Sequence, residues 1–174
     1  MSDNDDLTRV HEAMEAAIRQ QVPQARTVEA YKPGAGVIKT PAVLLEAIEI
    51  KPGGKLSGGR LAIKVEFAAH CCLSVQTDNV ELEVRNFAVK MLQVVHKNIW
   101  GLDGVAEPPQ ELAAYQGMFK PDDDGFDSWV VSWEQTFHLG DGWSEKDFLP
   151  RDVFIGEAPR IGKDHQDEYR QVAP

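Results

Sequence analysis

Residues 60–75 constrain this chain more than any other stretch. Every second position is apolar: Leu61, Ile63, Val65, Phe67, Ala69, Cys71, Leu73 and Val75. The positions between them are Arg60, Ala62, Lys64, Glu66, Ala68, His70, Cys72 and Ser74. Period-two alternation predicts a strand with one buried face and one wetter face. At ~3.3 Å per residue such a strand is about 50 Å long, well beyond the usual ~5–6 residues. A strand of that length crosses an antiparallel sheet that is covered on one side only. It carries no nucleophile, no phosphate loop and no ligand cluster, which favours a scaffold or assembly subunit over an enzyme.

The 174 residues suffice for one domain with a real core. Lys plus Arg is 18 and Asp plus Glu is 28, a formal charge of −10. That balance argues against gripping a phosphate backbone, which needs cations to displace counterions. An acidic wall would repel DNA and let it pass without sticking. No apolar run approaches the ~18 residues of a membrane-spanning helix. Residues 1–6 are acidic and polar, unlike the basic and apolar regions of a signal peptide. Cys71 and Cys72 are adjacent on the predicted strand and point to opposite faces, a poor geometry for a mutual disulfide. They are expected to be reduced cytosolic thiols, one of them in the core.

The remaining elements follow from periodicity. Leu7, Val10, Met14, Ala17 and Ile18 form an amphipathic stripe that predicts a helix over 6–21, capped by Asp5 or Asp6 and stopped by Pro23. Strands are expected over 27–31 and 42–50, the second apolar on both faces near its middle. The Gly-rich stretch 51–59 then reads as a flexible, projecting loop. Thr77-Asp78-Asn79 offers capping chemistry for a second helix running to about residue 98. Its stripe is Val80, Val84, Phe87, Ala88, Met91, Leu92, Val95 and Ile99, and Gly101 and Gly104 end it. A short helix or strand is expected around 112–118, and a final long strand over 126–139. From Gly140 onward the pattern breaks into an extended tail of the kind that stays disordered or docks on a partner. The expected class is α+β: a mostly antiparallel sheet with helices on one side over 1–140, followed by the tail 141–174.

Several residues invite chemical readings, and each has a plainer one. His70, Cys71 and Cys72 lack the two ligand pairs of a structural zinc site. Cys72 with His96 or His138 could make a thiol and its base, but nothing local supports activation. His96 near a helix C-terminus is favourable as a cation in any case. Gly53, Gly54, Gly58 and Gly59 lack the Gly-Lys-Ser/Thr ending and the following helix of a phosphate loop. Asp122-Asp123-Asp124-Gly125 lacks the alternating ligands and distal Glu of a calcium loop, so turn chemistry accounts for it. Catalytic, cofactor and metal residues are therefore not assigned. Lys51, Lys55 and Arg60 stand out as cations in an acidic protein and suit an acidic partner surface or a lumen. Trp129 and Trp133 belong in the core, while Trp143 is a candidate interface anchor.

Five strings and the element order carry a likeness to a known family. The strings are Tyr31-Lys32-Pro33, Thr40-Pro41-Ala42-Val43-Leu44-Leu45, Gly59-Arg60-Leu61-Ala62, Asn98-Ile99-Trp100-Gly101-Leu102, and Trp133-Glu134-Gln135-Thr136-Phe137-His138-Leu139-Gly140. Over roughly residues 5–145 the chain resembles the tail terminator, or tail completion, proteins of long-tailed bacteriophages and phage-tail-like bacteriocins. The likeness lies in order and style, with no single diagnostic motif.

The resemblance implies a compact α+β subunit without catalytic residues or cofactors. Six copies would form a ring at the head-proximal end of the tail tube, ending tube polymerisation and offering a head-joining surface. The implied partners are other copies of the chain, the tail tube protein and the head–tail connector proteins. DNA passes through the lumen without specific binding, and no membrane is involved. The implied location is the virion, after assembly in the host cytoplasm. Ring closure needs heterologous contacts. Segments 51–60 and 140–174 are the expected donors, with Lys51, Lys55, Arg60, Trp143, Phe148 and Phe154 as candidate interface residues. The alternatives are a head–tail connector ring, a related secretion-system component, or a small α+β enzyme or ligand-binding protein. The last would be a low oligomer with a deep pocket lined by Trp129, Trp133 or His70.

Overall fold

The computed structural model describes residues 6–32, 37–54, 59–121, 125–140, 153–155, 157–159 and 161–172. The chain divides into two compact units, Met1–Asp141 and Gly142–Pro174.

The larger unit has the predicted α+β class: a five-stranded mixed sheet packed with helices. Its elements are α1 (Leu7–Gln21), β1 (Thr27–Ala30), β2 (Ala42–Pro52), β3 (Leu61–Ser74), α2 (Val80–Val95), β4 (Gln110–Lys120) and β5 (Phe126–Leu139). The strand order is β1-β2-β3-β5-β4. All neighbours are antiparallel except β1 and β2, which run parallel.

The two long strands are the axis of the unit. β3 and β5 pair without a register break from Leu61↔Leu139 to Ser74↔Phe126. Odd-numbered side chains of both strands face the helices. Val65, Phe67, Ala69 and Cys71 meet Val131, Trp133 and Phe137 there. α1 adds Val10, Met14 and Ile18, and α2 adds Val84, Phe87, Ala88, Met91 and Val95. Both helices thus cover one face and leave the other open, as a one-sided sheet requires. Phe67 stacks on Trp133 with ring centroids 5.5 Å apart, and Phe137 meets Phe67 edge-on at 5.9 Å.

A buried polar residue locks the connection after α2 onto this core. Gln135 lies on the apolar face of β5, yet its amide is fully used. Its Oε1 accepts from the indole N–H of Trp100 (2.8 Å) and of Trp133 (3.3 Å). Its Nε2 donates to the carbonyls of Asn98 (3.1 Å) and Glu107 (2.7 Å). Residues 96–109 form no helix or strand; this side chain satisfies two of their carbonyls and both indoles, alongside the Ala106–Phe137 bridge and the Glu107 amide's bond to the Thr136 carbonyl.

Several expectations need correction. Asp6 does cap α1, accepting from the Thr8 amide at 2.9 Å. Asn79, however, precedes α2 in the left-handed conformation, and its side chain makes no cap bond. α2 stops at Val95, short of the glycines, and the Asn98 side chain donates back to the Val94 carbonyl. β2 runs through Lys51 and Pro52, so Lys51 is a strand residue and the connecting turn is shorter than the composition suggests. The 112–118 region is a full edge strand, β4. The other face of β3 is drier than alternation implies: Ala62, Ala68 and Cys72 are buried there, small side chains sunk between larger neighbours.

The smaller unit has short elements of its own. β6 (Val153–Ile155) pairs antiparallel with β7 (Arg170–Val172), and a 3₁₀ helix, Lys163–Glu168, lies between them in sequence. Within it the Tyr169 hydroxyl accepts from the Gly162 amide at 2.6 Å.

Candidate assembly surfaces

β1 pairs with only Ala42–Leu45 of β2. Beyond that point β2 is the free edge of the sheet, while β3 stays paired with β5 as far as Leu61↔Leu139. The β2–β3 pairing runs Glu49↔Glu66, Ile50↔Val65, Lys51↔Lys64 and Pro52↔Ile63. The Gly53 amide extends it by donating to the Ala62 carbonyl at 2.8 Å. A Cβ on Gly53 would lie 3.0 Å from backbone carbons of Ala62 and Ile63, so this close approach needs glycine.

This end of the sheet is two-faced. Ile50 and Leu61 lie on the helix-covered side of the sheet but beyond the helices, and are 56% and 62% exposed. Ile48, at the bulge between Ala47 and Glu49, is exposed as well. The opposite side carries Glu49, Lys51, Lys64 and Glu66. Glu49, Glu66 and Glu134 stand in one cross-strand row, which by itself is repulsive. Lysines one step along relieve it: Lys51 pairs with Glu49 at 2.6 Å, and Lys64 pairs with Glu134. The Glu49 carboxylate holds the Lys51 ammonium above its ordinary pKa. Arg60 donates to the Gly104 carbonyl at 2.7 Å and so ties the start of β3 to the loop after α2.

The structure therefore brings Lys51 and Arg60 together at one end of the larger unit. Lys55 lies outside the described residues, as do Trp143, Phe148 and the 122–124 aspartates. Phe154 is exposed on β6 of the smaller unit.

The other sheet face carries Glu29, Glu46, Glu66 and Glu134 with Lys64 and His70, around buried Leu44, Ala68, Cys72 and Val130. His70 meets Glu46 at 3.0 Å and stacks on Tyr31 with centroids 5.1 Å apart. His138 meets Glu107 at 2.8 Å. The sheet edges are guarded. β4 exposes Tyr115, Met118 and Phe119, but register breaks at Gln110/Ala113 and Gln116/Phe119 interrupt its ladder. The free half of β2 has its own bulge and ends in Pro52. Bulges and proline of this kind discourage strand-to-strand addition.

The chemical readings find no support in the geometry. Cys71 faces the core and Cys72 the open side, so their side chains diverge. Cys72 and His138 are ten residues apart along the β3–β5 register, about 33 Å. Burial pushes both thiols up, Cys72 to about 12. Among the described residues no group of three or more His, Cys, Asp or Glu side chains is placed to hold a metal ion. Trp133 is 1% exposed and Trp129 lies beneath the Arg85 guanidinium, so both contribute to packing.

Reactivity follows from this burial. Both thiols are expected to be silent to a disulfide reagent at pH 8 in the native protein and to react fully in denaturant. A raised folded pKa means the native state keeps protons that the unfolded chain releases. Stability should therefore fall as pH rises from 9, the ordinary thiol value, through about 12 for Cys72. Urea midpoints across that range check the sign.

Comparison of the sequence with protein-family models and with curated proteins finds no match.

Proposed function

We propose that this chain is a structural virion protein that assembles into a ring at the head-proximal end of a phage tail tube. The ring ends tube polymerisation and presents a surface for joining the head. The observation that carries the reading is the β2–β3 end of the sheet, where Ile50, Leu61 and Lys51 are exposed. An exposed sheet end with apolar and cationic groups is suited to contact between subunits. The sequence strings shared in style with tail terminators point the same way.

Capping is a physical mechanism and needs no catalytic group. A ring that matches the last tube ring on one face, and differs on the other, stops growth. The open face, with Glu29, Glu46, Glu66 and Glu134, offers DNA no grip, consistent with passage through a channel.

The test is polymerisation of the tail tube protein in the presence of the purified chain. The expected result is shorter tubes, each with the added protein at one end only. Tubes of unchanged length without bound protein would refute the reading, and binding to filled heads instead would make it a connector.

A further inference from the structure

We infer that a cavity at the far end of β3 binds a small zwitterion with an apolar body, of the chemistry of free leucine or phenylalanine. The cavity has a volume of about 230 Å³ and lies where α2 crosses the end of β3, beside the start of β2. Its floor is Pro41, Leu73 and Phe87, and its rim includes Glu83, Asn86 and Lys90 of α2. Leu73 and Phe87 belong to the core and are nearly buried, so the floor is fixed.

The helix places the rim charges. Glu83 and Lys90 are seven residues apart, two turns, so they stand on one line of α2 about 10 Å apart along its axis. Ion pairs along a helix form at spacings of three and four. At those spacings neither Glu83 nor Lys90 meets a side chain of opposite charge. Among the described residues Lys90 has no ion-pair partner. Glu83 accepts one long bond, from the Asn86 side-chain amide at 3.5 Å. A carboxylate and an ammonium thus stand unpaired on either side of an apolar floor.

The ligand class follows from this set. A simple anion would face Glu83, and a simple cation would face Lys90. A neutral apolar molecule would cover both charges without pairing either, which is costly. A zwitterion answers each, its carboxylate on Lys90 and its ammonium on Glu83. Asn86 carries both a donor and an acceptor and suits either end. The apolar side chain then lies on Leu73 and Phe87. A cavity of about 150 Å³ holds a benzene-sized molecule, so this one has room for the side chain and the charged head.

The test is ligand-observed saturation-transfer NMR on the full chain, which works for a monomer and for a large ring alike. L-leucine and L-phenylalanine should bind saturably, with dissociation constants below about 10 mM. N-acetyl-leucine lacks the ammonium and leucinamide lacks the carboxylate, so each should bind at least about tenfold more weakly. Lys90→Gln should weaken leucine at least about tenfold and leave leucinamide nearly unchanged. Glu83→Gln should likewise weaken leucine and spare N-acetyl-leucine. That crossed pattern marks direct pairing, because a loss of packing would weaken every ligand together. Circular dichroism confirms folding, and if a variant fails to fold, the two capped ligands on the native chain carry the test.

No saturable leucine signal up to about 10 mM overturns the inference. Binding that survives both substitutions, or that weakens equally for every ligand, overturns it as well. The ring reading stands or falls separately, since capping of tail tubes does not use this cavity.

Discussion

Replacing Gln135 with leucine is expected to cost about 3–5 kcal/mol of stability. The volume is nearly conserved, so packing loss is small. The cost comes from the four groups left behind: two indole N–H donors and two backbone carbonyls. Each buried group stripped of its partner costs about 1–3 kcal/mol, and water reaching the loop side offsets part of the sum. A domain of this size has about 5–15 kcal/mol in total. The melting temperature should fall by roughly 10 °C. A shift within about 2 °C would mean that these four groups find other partners once the amide is gone.

Trp133→Ala should be comparably severe, about 3–5 kcal/mol, as for large aromatic truncations in close-packed cores. Trp133 is almost fully buried between Phe67 and Trp100, with centroids 5.5 and 6.1 Å away. Because its indole also donates to Gln135, the two substitutions are coupled. The double variant should lose less than the sum of the singles, by about 0.5–3 kcal/mol. Strict additivity in urea unfolding would show that the indole–amide bond contributes nothing.

The long elements were legible because their side chains alternate or recur over many residues. β5 has the bounds that its alternation predicts, and β3 differs by one residue at each end. α1 was readable from its stripe and its Asp6 cap. β4 was not, because it is an edge strand with two register breaks and mostly small or polar residues, so its period is interrupted. The parallel pairing of β1 with β2 leaves no periodic trace in four residues. β6 and β7 were invisible for the same reason, at three residues each.

The site was only partly legible. Lys51 and Arg60 were singled out as cations in an acidic chain, but composition assigned Lys51 to a loop when it belongs to a strand. Gln135 lies on the core face of β5. Its bonding role depends on Trp100, Asn98 and Glu107, which are 28–37 residues away in sequence.

The central claim is that the chain closes into a ring. The mass of the purified protein in solution, measured by native mass spectrometry across concentration, tests it most directly. The account predicts a species of six copies of the 19.3 kDa chain. A tight dimer that forms no higher species at any concentration would contradict it.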